Sequence, residues 1–133
     1  MAIAKISEPL RGWNNFDCYG IFANERVLLE NLEVFRTRLK PHGYEYFVLD
    51  AGWYSHFPIP DGEEFPRTKK SIDTEIDEYG RVVALPTLFP HGMKHIADQV
   101  HNAGCKFGIH IMRGIPRKAV ELNTPVKGTE YHA

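Results

Sequence analysis

Paired cysteines are missing from this chain: Cys18 and Cys105 stand alone, with no CxxC and no dense spacing. No zinc ribbon and no small disulfide framework follows from such a pattern, and both thiols are expected to be reduced. An excess of one charge is missing as well, since 16 basic and 17 acidic residues leave a formal net charge of −1. A chain so balanced exerts no long-range pull on a phosphate backbone or an anionic bilayer, so neither a nucleic-acid nor a membrane partner is expected. Nowhere do about 18 apolar residues run together, and the opening MAIAKISEPL has no apolar stretch of signal-peptide length. The expectation is a cytoplasmic protein. No GxGxxG follows a strand-like run, so no nucleotide cofactor is expected, and HExxH is absent.

What is present is the composition of an ordinary globular domain, 133 residues with 43% hydrophobic content, read as one unit over 1–133. Leu10 to Phe16, LRGWNNF, is a short apolar stretch ending in two asparagines and reads as a first strand. From Asn24 the reading is helical: Asn24 caps, Glu25 suits the first turn, and Leu28, Leu32, Phe35 and Leu39 recur at i, i+4, i+7 and i+11 until Pro41 and Gly43 stop the run. Glu45 to Asp50 is then a continuous apolar run into an aspartate, the signature of a strand buried on both faces in a parallel sheet. In such sheets the C-terminal strand ends carry the working groups.

Between Gly52 and about Pro90 the pattern dissolves into proline, glycine and charge, with Asp77 to Arg81, DEYGR, reading as a tight turn between two extended pieces. So long a connection inside a compact domain is usually functional. Past His91 and Gly92 the residues Met93, Ile96, Ala97 and Val100 keep helical spacing, Gly104 closes the helix, and Cys105 to Ile111 is a third strand. The tail offers one weak helical stretch around Lys118 to Leu122. Strand–helix alternation predicts an α/β fold on a parallel sheet. Three strands covered by two helices leave both sheet edges open, so the rest of a sheet or a partner is expected to complete it.

Several of these stretches together resemble one family, the melibiases of glycoside hydrolase family twenty-seven, which are α-galactosidases and α-N-acetylgalactosaminidases. The likeness lies in Gly12-Trp13-Asn14, in GYEYFVLDAGW from Gly43 to Trp53, in the turn Asp77 to Arg81, and in LFPHGMKHIADQVHNAGCKFGIH from Leu88 to His110. It implies a (β/α)8 TIM barrel, of which this chain supplies about the first three strands and two helices. It also implies a retaining glycoside hydrolase working through a covalent intermediate, with two carboxyl groups about 5 Å apart. In the family those carboxyls follow strands four and six. The last aspartate here is Asp98, in the second helix, so no catalytic residue is assigned and the chain by itself is expected to be inactive.

What the resemblance leaves to these residues is one wall of a sugar site. Asp50 matches the first of two adjacent aspartates that accept hydrogen bonds from sugar hydroxyls, a task suited to a carboxylate because it accepts from two hydroxyls at once. Ala51 stands where the second is usual. Phe16 replaces a tryptophan, keeping an apolar face for the pyranose without the indole donor, and His110 replaces a tyrosine at the end of strand three. Trp53 is a candidate stacking wall, or core. Trp13 is expected in the core, and Arg113 is a candidate contact at the site mouth. These departures put plain galactose specificity in question and give equal weight to a divergent branch recognising a different or N-acetylated sugar. His91, His95, Asp98 and His101 raise the question of a metal, but three of them drift around the helix at i, i+3 and i+6, so solvated helix positions are expected instead and no metal is assigned. A second reading is a non-catalytic sugar-binding or structural partial barrel that assembles with a partner chain.

Overall fold

The computed structural model describes residues 9–68 and 70–133; the polar lead-in read from the opening residues lies mostly outside them. Three strands, β1 (Gly12–Asn14), β2 (Tyr46–Leu49) and β5 (Lys106–Ile109), form a parallel sheet in the order β1-β2-β5. The register places Trp13 opposite Phe47 and Phe47 opposite Phe107. Central β2 buries Phe47 and Leu49, whereas β5, at an edge, has no fully buried residue. A short helix α1 (Phe16–Tyr19) follows β1 at once.

Helix α2 (Glu25–Val34) begins as its sequence requires: Oδ1 of Asn24 accepts the backbone N–H of Val27 at 2.9 Å. Its buried stripe is Val27, Leu28 and Leu32, continued by Phe35. The expected helix does not run on unchanged to Leu39. It widens into a π turn over Phe35–Leu39 and tightens into a 3₁₀ turn over Lys40–His42. Thr37 supplies a local reason, since its hydroxyl donates back to the carbonyls of Glu33 and Val34, competing with the regular ladder. Gly43, at φ 82°, takes the left-handed cap.

The excursion after β2 carries a two-stranded antiparallel ribbon, β3 (Ser55–His56) with β4 (Asp73–Thr74). The DEYGR segment is the tight turn expected: Asp77 accepts the backbone N–H groups of Tyr79 and Arg81 through Oδ1, and Ile76 bridges Val82. Helix α3 (Gly92–Asn102) buries Ile96 and Val100, and α4 (Arg117–Glu121) lies on the stretch read as weakly helical. The core is one cluster in which Phe35, Phe47, Phe89, Leu28, Leu49 and Ile96 are almost wholly buried. Trp13 stacks on Phe47 at 4.7 Å and Phe35 meets the same ring edge-on at 5.5 Å. Ile109 at the end of β5, and Ile111, Met112 and Ile115 beyond it, stay exposed beside an open cavity of about 720 Å³. Among the described residues no helix is long and apolar enough to cross a membrane, and both cysteines are free thiols.

Candidate functional site

Parallel pairing brings three strand ends to one edge, each with a polar side chain: Asn14 as the last residue of β1, Asp50 just after β2 and His110 just after β5. The carboxylate of Asp50 is 18% exposed. Its Oδ2 accepts Nδ2 of Asn14 at 2.8 Å, and its Oδ1 accepts the backbone N–H of Ala51 at 2.7 Å. A carboxylate has about four acceptor positions, so roughly two remain for an incoming donor. On the far side Nδ1 of His110 stands 3.5 Å from Oδ1, on a side chain that is half exposed.

The backbone beneath the site is fixed by Asn15, which is fully buried. Its Oδ1 accepts the N–H of Asp50 at 2.7 Å, and its Nδ2 donates to the carbonyl of Gly20 at 2.9 Å. Asn14 works in two directions, because its Oδ1 also accepts the N–H of Phe16 at 2.7 Å. That bond holds the start of α1 and leaves Phe16 46% exposed beside the asparagines. Asn14 entered the sequence reading only as part of the Gly-Trp-Asn motif, and neither asparagine was given a role at the site. The paired Asn-Asn at a strand end was the available signal, but its partners lie 35 and 36 positions away.

Trp53 is placed differently from an open stacking wall. Its indole is buried to 4% exposure, packs edge-on against Tyr54 at 4.9 Å, and donates Nε1–H to the carbonyl of His110 at 3.0 Å. It therefore belongs to the core and positions His110, although one face borders the open cavity. Gly52 explains the turn between Asp50 and Trp53. At φ 103° it adopts a conformation that side chains rarely take, and a Cβ there would collide with the carbonyl oxygen of Ile21. Arg113 lines the open cavity rather than joining Asp50 and His110.

The histidines of α3 also sort themselves. Asp98 is held by Lys94 at 2.6 Å, and this hydrogen bond keeps its carboxyl below the ordinary range. His101 is exposed. His91 and His95, however, meet Glu25 from the first turn of α2, which sequence spacing could not show. Burial pushes the Glu25 carboxyl up, but the side-chain and backbone hydrogen bonds of His91 outweigh it and hold the group below its usual value.

No protein-family model matches the chain. It is 33% identical over 107 residues to an α-galactosidase of Lachancea cidri, an alignment covering 80% of this chain and 19% of that protein. A β-L-arabinopyranosidase of glycoside hydrolase family 27 from Geobacillus stearothermophilus, solved in complex with arabinose, superposes with a TM-score of 0.79 at 40% identity, over 96% of this chain and 30% of that one. A protein of Bacillus halodurans described as a putative α-N-acetylgalactosaminidase gives the same TM-score, 0.79, and the same identity, 40%, over 94% of this chain and 29% of its own. The chain thus spans about a fifth of that curated relative and under a third of these two structures. It is a relative of glycoside hydrolase family 27, the melibiases, matched over most of its own length and over a minor part of theirs.

Proposed function

We propose that these residues are the opening portion of a retaining glycosidase barrel and supply one wall of its sugar site, with Asp50 as the acceptor for sugar hydroxyls. The carrying observation is the Asp50 carboxylate, oriented by Asn14 and Ala51 and only partly used by them, at the C-terminal edge of a parallel sheet. Half-exposed His110 offers a donor beside it, and Phe16 offers an apolar ring face. The nucleophile and the acid/base belong, by the family resemblance, to later strands that residues 1–133 do not contain. Glycoside cleavage therefore requires the remainder of the barrel, whose fourth strand would pair with the open edge of β5 and cover Ile109, Ile111 and Met112.

For the sugar, the reading is a terminal β-L-arabinopyranoside, ahead of an α-galactoside. The two share the configuration of every ring carbon, and the pentopyranose lacks only the exocyclic hydroxymethyl group. Ala51 provides no hydroxyl acceptor next to Asp50, which matches a sugar with one hydroxyl fewer. The arabinopyranosidase is also the more similar in sequence and aligns over more of this chain than the yeast α-galactosidase does. An α-N-acetylgalactosaminide is the second reading, because the Bacillus halodurans protein is equally similar.

The test is the natural-length protein assayed on the p-nitrophenyl β-L-arabinopyranoside, α-D-galactopyranoside and α-N-acetylgalactosaminide, with the anomer first released followed by proton NMR. The expected result is the highest kcat/KM on the arabinopyranoside with retained configuration. Preference for the acetamido sugar would favour the second reading, and failure on all three would overturn both.

A further inference from the structure

We propose that Glu25, His91 and His95 form a divalent-cation site, best suited to Zn²⁺, that clamps the start of α2 to the start of α3. Each side chain offers one ligand atom, and the three atoms lie within 4.8 Å of one another. His91 is the N-cap residue of α3 and His95 lies in its first turn, and their ring centroids are 5.0 Å apart. Glu25 reaches them from a different element, 66 positions earlier in the chain.

The carboxylate is already organised as a ligand would be. Its side chain is only 10% exposed; Oε2 accepts the backbone N–H of His91 at 3.2 Å, while Oε1 faces Nδ1 of His91 at 2.5 Å. Ligating carboxylates are themselves hydrogen-bonded in this way, which fixes the oxygen that faces the metal. Among the described residues the ring nitrogens of His95 have no hydrogen-bond partner, so a lone pair is available.

Two imidazole nitrogens and one carboxylate oxygen are a set that Zn²⁺ accepts, leaving room for water at a fourth position. Ca²⁺ and Mg²⁺ demand oxygen ligands and are poor matches. Bond lengths of about 2.0–2.2 Å put tetrahedral ligand atoms roughly 3.5 Å apart, so the widest separation must shorten by about 1 Å while Nδ1 of His91 and Oε1 of Glu25, now 2.5 Å apart, must open by about as much. The side chain of His91 is 68% exposed and is free to make that swing. Both helices begin here, and the positive ends of their dipoles oppose a cation; the buried Glu25 carboxylate offsets them. Binding would replace the hydrogen bond between Nδ1 of His91 and Oε1 of Glu25 as the two atoms separate, releasing any proton they share to solvent. The backbone N–H of Glu25 donates to the carbonyl of Leu88 at 2.9 Å, so the clamp would reinforce an existing contact between the two helix starts. Asp50 and His110 take no part, and the proposal does not depend on the glycosidase reading.

The test is a Zn²⁺ titration of the chelator-treated natural-length protein against a chromogenic competitor, in the wild type, His95→Ala, His91→Ala and, as a control on the same helix, His101→Ala. The expected result is one ion fewer per chain, or binding at this site weakened at least about 100-fold, in His95→Ala and His91→Ala, with His101→Ala unchanged. Added Zn²⁺ should also raise the thermal midpoint of the wild type and of His101→Ala, but not of the other two. Equal Zn²⁺ binding by all four proteins, or no stoichiometric binding by the wild type, would overturn the proposal.

Discussion

Two residues beneath the candidate site carry it without facing it. Trp53 gives its indole N–H to the carbonyl of His110, so Trp53→Phe keeps most of the buried ring and removes one hydrogen bond. The expected cost is about 1–2 kcal/mol in urea unfolding, since the carbonyl loses its donor within a largely buried contact. Gly52 has the opposite constraint. With φ at 103° and the Ile21 carbonyl against the missing Cβ, Gly52→Ala should destabilise by more than about 1 kcal/mol, measured the same way, and shift Asp50 two positions upstream. At this scale the sequence was informative where a motif framed the residue. Asp50 was legible because a buried strand ran into it, whereas the Asn14 and Asn15 clamp was not, because each bond joins residues some 35 positions apart and no local pattern records it.

Elements were legible through their periodicity and less so at their ends. The helix after Asn24 and the helix after His91 lie where the i, i+4 spacing put them. The strand read as Glu45 to Asp50 shortens to Tyr46–Leu49, the span that pairs with β5, whose last register pair is Leu49 opposite Ile109. Loss of the α2 cap in Asn24→Ala should cost about 1 kcal/mol, read from the urea midpoint, because the N–H of Val27 is then left to solvent. The DEYGR turn carries a pH prediction. The Arg81 side chain, first, and the backbone N–H groups of Arg81 and Tyr79 hold the Asp77 carboxyl below 3.8, its unperturbed value. A folded-state value below the unfolded one gives stability that is complete above that unfolded value and is lost as pH falls through the folded one. Asp77→Asn should therefore lose stability at neutral pH and show a shallower fall between pH about 4 and 2, a comparison that thermal melts across that range can make.

For the molecule as a whole, the β1-β2-β5 sheet has two open edges and an apolar strip past β5, the expected consequence of three strands served by two long helices. The three strands of the parallel sheet were readable from alternation, whereas the β3–β4 ribbon inside the long connection was not. The sugar was not readable either, because Asp50, Phe16 and His110 form one side of a candidate site and these residues span only a minor part of their relatives' length. The proposed role of Asp50 as the acceptor for sugar hydroxyls is tested most directly by Asp50→Asn in the natural-length protein, because the amide keeps the shape and removes the charge. The expected result is a fall in kcat/KM on the preferred aryl glycoside of about 10- to 150-fold, equivalent to about 1.5–3 kcal/mol, in a protein that stays folded although the amide loses one of the two acceptor contacts to Asn14 and Ala51. An unchanged kcat/KM in a folded Asp50→Asn protein would contradict it.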